Sequence, residues 1–110
     1  MVNQPPRRDE VWLISLDPTL GSEIRKTRPG VVISPDEANR HLKTAIVAPM
    51  TTGSHPAPFR IAVRHGGKQG LILLDQLRAI DKTRLVKRAG AIPPATLKAT
   101  LAALAEVFAE

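Results

Sequence analysis

Apolar positions along this chain fall into short runs, and most of the runs are β-rich. Glu10 to Leu16 (EVWLISL) is mostly apolar and predicts a first strand. Asp17-Pro18 opens a turn, and Asp17 to Thr27 reads as an eleven-residue polar loop around Gly21. Loops of that length in a compact domain are usually functional or mobile. Pro29 to Ser34 (PGVVIS) predicts a second strand, with Pro29 tolerated at its first position. Pro35 to His41 has room for one helical turn, and Thr44 to Ala48 (TAIVA) predicts a third strand. Pro49 to Pro58 reads as a second long polar loop. Phe59 to Val63 alternates apolar and basic, the pattern of a half-exposed strand. His65 to Lys68 is a turn, and Gly70 to Leu74 (GLILL) is a buried run that Gln76 to Ile80 continues with Arg78 outward. Asp81 to Thr83 reads as a brief turn. Arg84 to Ile92 alternates enough for a last strand. Pro93-Pro94 then opens a helix, where a missing N–H costs nothing, and Leu97, Leu101, Leu104 and Phe108 follow at helical spacing.

Several strands followed by one helix predict a mainly β, α+β fold: an antiparallel, strongly curved sheet or small barrel covered by a C-terminal helix. The length, 110 residues, fits one domain, with residues 1–9 as a loose lead-in. The helix carries only Lys98, Glu106 and Glu110 as charges. It is either packed on the sheet, the simpler reading, or part of an interface. Zero Cys removes any disulfide framework, thiolate metal site or cysteine nucleophile. The core therefore rests on apolar packing, helped or not by a second subunit. No run reaches the roughly 18 apolar residues of a spanning helix, and the polar, Pro-rich start does not read as a secretory signal. The expected setting is the cytoplasm, away from membranes.

Charge sharpens this picture. The formal net charge is +6, and it is not spread evenly. Arg60, Arg64, Lys68, Arg78, Lys82, Arg84, Lys87 and Arg88 fall in one stretch opposed only by Asp75 and Asp81, while the rest of the chain balances. That is the footprint of a protein that touches phosphates, or of a solvated basic face. Only Trp12, Phe59 and Phe108 are aromatic, so nucleic-acid binding would lean on charge and hydrogen bonds more than on stacking.

Candidate chemistry gathers in the two polar loops. No metal-ligand motif, P-loop, dinucleotide fingerprint or serine elbow is present, and no metal or cofactor is expected. Arg28 precedes Pro29, which restricts its backbone. A guanidinium fixed beside polar loops suits a phosphate gripped by two parallel hydrogen bonds. Thr51 and Thr52 supply hydroxyls. Glu23 is a candidate base or a partner orienting Arg28. The competing reading of Arg28 is a surface ion pair with Glu23 or Asp17.

The strings EVWLISLDPTLGSE, RPGVVISPD, VAPMTTG and GLILLDQLRAIDKTRL, in this order and spacing, resemble the MazF/PemK/Kid family of toxins. The resemblance runs from about Glu10 to the C-terminal helix. It implies an SH3-like barrel of the Kid/MazF/CcdB toxin type, built as a homodimer. It further implies the toxin of a type II toxin–antitoxin pair: a metal-independent mRNA interferase that cuts single-stranded RNA by 2′-hydroxyl attack and inhibits growth. Its implied partner is an acidic cognate antitoxin. The MazF catalytic pair maps onto Arg28 and Thr51, with Glu23 beside the site. Ser22, Lys26, Thr52, Ser54, Asp75, Gln76 and Arg78 are the implied RNA-binding residues, Asp75 and Gln76 for base recognition. The Kid set is absent, since Ser22 and Leu73 replace its His and Arg. Asp9 stands where many relatives open the first strand with Gly.

Two other readings compete. A degenerate member of the fold would bind RNA or gyrase without catalysis. A His-based ribonuclease would use His55 and His65, but His65 falls in a turn expected to face outward.

Overall fold

The computed structural model describes residues 4–15, 27–52, 55 and 57–110. Among these described residues seven strands form one antiparallel sheet: β1 (Glu10–Ser15), β2 (Thr27–Val32), β3 (Thr44–Thr52), β4 (Arg60–His65), β5 (Lys68–Leu73), β6 (Arg78–Asp81) and β7 (Leu85–Ala91). Their order is β4-β5-β3-β2-β1-β7, with β6 against β3. Helix α1 (Asp36–His41) joins β2 to β3, and α2 (Pro94–Val107) closes the chain. This is the mainly β, helix-capped architecture that the pattern predicts.

The sheet curls because both faces of its centre are apolar. Neighbouring residues of a strand point to opposite faces. Val31 and Val32 are nonetheless both fully buried, Val31 in a core with Val11, Ala48, Met50 and Ile72, Val32 in a second with Ile14, Val47 and Ile80. A flat sheet would leave one of them wet. Leu104 of α2 joins the first core, with Leu97 and Leu101 packed against it, so the helix lies on the sheet. Phe108 breaks that pattern: it follows the last helical residue and is 74% exposed.

Several boundaries differ from the sequence expectation. β3 runs four residues beyond Ala48, through Pro49, and takes Thr51 and Thr52 out of the loop. One edge of β3 pairs with β6 up to Val47 and with β5 from Met50, so Pro49 lies in the gap between two ladders. There its absent N–H breaks nothing on that edge. β2 begins at Thr27, which places Arg28 on a strand and Pro29 at its third position; the ladder to β3 starts only at Gly30. The turn between β4 and β5 is reduced to Gly66 and Gly67. The run after Leu73 breaks into a 3-10 turn, Leu74–Gln76, before β6, and a second such turn, Lys82–Arg84, follows it. The end of the lead-in, Arg8 and Asp9, is pinned. The Arg8 amide donates to Asp36 at 2.8 Å, its Nε to the Ile33 carbonyl at 2.7 Å, and the Asp9 amide to the Val32 carbonyl at 3.0 Å.

Candidate active site

Arg28 and Thr51 meet through strand register. β2 and β3 pair antiparallel as Gly30 with Pro49, Val31 with Ala48 and Val32 with Val47. The ladder ends at Gly30; carried two residues further, its register would set Arg28 across from Thr51. Both residues line two cavities that flank them. One, about 420 Å³, continues over Thr52 to His65, Gly66 and Lys68 at the β4–β5 turn. The other, about 470 Å³, continues to Gln76 and Arg78. Together they make a groove with two arms and the Arg28–Thr51 pair at their junction.

The backbone at the junction leaves no slack. Thr51 pairs with Leu71 of β5, and Gly70 lies beside it. A Cβ on Gly70 would stand 2.2 Å from the Thr51 carbonyl oxygen, so only glycine permits this approach. Among the described residues the Thr51 hydroxyl makes one long hydrogen bond, to the Thr52 carbonyl at 3.3 Å. It is free to turn toward a ligand.

Electrostatics separate this groove from a larger cavity of about 930 Å³ under the N-terminal segment and β7. Four cations line that larger cavity, and each has an internal acceptor: Arg7 with Asp36, Arg40 with Glu37, Lys82 with the Asn39 carbonyl and Arg88 with Glu10. Arg28, Arg78, His65 and Lys68 have no side-chain hydrogen bond or ion pair with other described residues. No carboxylate stands among the described residues lining either arm of the groove. Unpaired donors around a concave surface are what an anionic ligand needs.

The sequence-derived residues are thus partly gathered. Arg28, Thr51, Thr52, Gln76 and Arg78 line the groove. Asp75 stands outside it. Arg60 holds both its carboxylate oxygens, at 3.1 and 3.0 Å, and this hydrogen bonding keeps the Asp75 carboxyl below the usual aspartate range. Ser22, Glu23, Lys26 and Ser54 lie outside the described residues. His65 and Lys68 line the groove as well, though the sequence placed His65 only in a competing reading and Lys68 only in the general basic stretch. His65 was expected to face outward from a turn, yet it is the last residue of β4, half-buried, and lines the cavity. The alternation of Phe59 to Val63, extended two residues, was the available signal.

Comparison with known proteins supplies the context. Residues 7–108 match the family model described as the PemK-like, MazF-like toxin of type II toxin–antitoxin systems. Endoribonuclease PemK of Escherichia coli is 35% identical over 107 residues, covering 92% of this chain and 80% of that protein. Endoribonuclease MazF of Staphylococcus epidermidis is 38% identical over 88 residues, covering 74% of this chain and 73% of its own. Among solved structures, MazF from Deinococcus radiodurans superposes with a TM-score of 0.78 at 22% identity, over 96% of this chain and 97% of that one.

Proposed function

The chain belongs to the PemK-like, MazF-like toxin family of type II toxin–antitoxin systems, and from that premise we propose that it is the toxin of such a pair, an endoribonuclease cutting single-stranded RNA, mRNA included, at short sequences. The observation that carries this reading is the convergence of Arg28 and Thr51 on one anion-seeking groove.

The reaction is transfer of a phosphodiester to a neighbouring hydroxyl. The 2′-hydroxyl oxygen attacks the adjacent phosphorus and gives its proton to a base. The bond to the 5′ oxygen breaks, and that oxygen takes up a proton. A cyclic phosphate and a 5′-hydroxyl end remain. Arg28 does not act as the base, because guanidinium does not deprotonate in proteins. Its fork of donors stabilises the charge that builds on the phosphorane oxygens. Thr51 donates to a phosphate oxygen or to the leaving oxygen. Glu23 is the candidate base. None of these roles calls on a metal or cofactor. Gln76, Arg78 and Thr52 hold the strand beside the reacting phosphate, and Ser22, Lys26, Ser54 and Asp75 are the further RNA-binding candidates that the family resemblance names. An unpaired strand is required, because bases must be splayed out to be read.

The test is cleavage of a defined RNA oligonucleotide in EDTA by wild type and Arg28→Ala. Loss of one oxyanion donor lowers kcat by about 10²–10³-fold. Undiminished cleavage by Arg28→Ala removes the assigned role. Intact RNA with wild type, together with stalled gyrase, would instead mark a non-catalytic binding module. The proposed setting is the cytoplasm, as a homodimer. The proposed partner is an acidic, partly disordered antitoxin that blocks the basic groove. Co-expression of an acidic neighbouring reading frame should restore growth.

A further inference from the structure

Beyond Thr52, the arm of the groove that ends on the β4–β5 turn has no task in the chemistry above. Its far wall is His65 and Lys68, the residues on either side of the two-glycine turn. His65 lies close to Gly90 of β7. Its imidazole Cε1 lies 3.2 Å from where a Cβ on Gly90 of β7 would stand, and Gly90, at φ +133°, occupies a conformation suited to glycine. A side chain at Gly90 would therefore crowd the edge of the ring. None of Trp12, Phe59 or Phe108 lines either arm, so His65 is the one flat ring among the described residues of the groove. Lys68 is exposed beside it.

A strand gripped at Arg28 and Thr51 must leave in two directions. One leads to Gln76 and Arg78, the other to His65 and Lys68. We propose that His65 and Lys68 form a subsite for the nucleotide flanking the cleaved phosphate on the side away from Gln76, His65 stacking on its base and Lys68 meeting its phosphate. The proposal rests on the nuclease reading and deepens it, because it adds a second place where sequence or length is sensed. Stacking on a flat ring is tolerant of base identity, so this arm contributes mainly affinity for longer strands. Lys68 contributes as a point charge to the salt-dependent part of binding.

The experiment compares a minimal RNA with the same RNA extended on its 5′ side, its 3′ side or both. Wild type, His65→Ala and Lys68→Gln are each assayed for kcat/KM. In wild type, extension on one side raises kcat/KM. The ratio of extended to minimal substrate falls about tenfold in His65→Ala, the order expected for one lost stacking contact. In Lys68→Gln, the log–log slope of binding against salt becomes shallower by about 0.7 on the extended strand. Lys68 is exposed, so that variant tests the subsite even where His65→Ala is poorly folded. Ratios and slopes equal to wild type in both variants overturn the subsite while leaving the nuclease standing. An equal loss on every substrate overturns it too. Wild type that leaves every RNA intact removes the nuclease reading, and the subsite with it.

Discussion

Asp9 opens the first strand at φ 86°, where an L side chain crowds its own backbone. Burial pushes its carboxyl above the usual aspartate range, and the charge of Glu10 adds to the effect. A raised carboxyl weakens the fold once pH climbs past the unfolded value, about 3.9, and has no effect below it. Asp9→Gly should therefore stabilise the protein by about 1 kcal/mol from the backbone alone. The gain should be larger at pH 7 than at pH 3. Denaturant unfolding at the two pH values checks both parts; equal or lower stability at pH 7 would count against the strain. Gly70 makes the complementary case, where a side chain has no room at all. Gly70→Ala drives a methyl into the Thr51 carbonyl and displaces the strand that presents its hydroxyl. A misplacement of about 1 Å in a catalytic group can cost about a hundredfold in rate. Cleavage by Gly70→Ala should fall on that order, and wild-type rates would show that β3 yields without moving Thr51.

Elements are joined by polar ties as well as by apolar contact. Glu10 of β1 accepts from the Arg7 amide at 2.9 Å, the Trp12 indole at 3.1 Å and Arg88 of β7 at 2.8 Å. Burial pushes its carboxyl up, but these donors outweigh it and hold it below the usual glutamate range. A lowered carboxyl adds stability above the unfolded value, about 4.3, and loses it as pH falls through the folded one. Glu10→Gln should cost about 1–2 kcal/mol at pH 7, and the gap to wild type should close on the acid side. A constant gap from pH 7 to pH 3 would refute the tie. Helix α1 is anchored in the same manner. Buried Asn39 takes the Ser34 hydroxyl at 2.5 Å and donates to the Ser34 carbonyl at 2.9 Å, while the Ser34 hydroxyl also accepts from the Ile46 amide. The existence of nearly every element was readable from apolar runs. The ends were not, for a physical reason visible in β3. Pro49 and the threonines after it look like loop by composition. They are strand because β2, β5 and β6 share the pairing around Pro49, and pairing between distant segments leaves no local mark. The choice of Arg28 and Thr51 did not depend on that boundary, since Arg28 was singled out for its chemistry and Thr51 by the family resemblance. The reading of His65 did depend on a boundary, because its place was judged from the turn beside it.

For the molecule as a whole, the basic excess divides into two groups by pairing. Of the stretch from Arg60 to Arg88, four cations serve internal acceptors: Arg60 on Asp75, Lys82 on the Asn39 carbonyl, Arg84 on the Ser15 carbonyl at 3.0 Å and Arg88 on Glu10. Arg64, Lys68, Arg78 and Lys87 have no such acceptor among the described residues. A charge count from sequence merges the two groups, though they act on different quantities. Cations with internal acceptors hold the sheet closed, and removing one leaves an oxygen without its donor. Unpaired ones contribute to the field that draws in phosphates and to counterion release when a strand binds. The separation is measurable with an RNA whose reacting 2′-hydroxyl is replaced by hydrogen, so that binding is read without cleavage. Arg84→Gln should lower the melting temperature by a few degrees, on the order of 1 kcal/mol, and leave the salt slope of binding as it was. Arg78→Gln should leave the melting temperature unchanged and make the slope shallower by about 0.7, one phosphate contact on a single strand. If both substitutions moved the slope equally, the basic stretch would be one undivided field, and the pairing in the fold would have no bearing on which charges meet RNA.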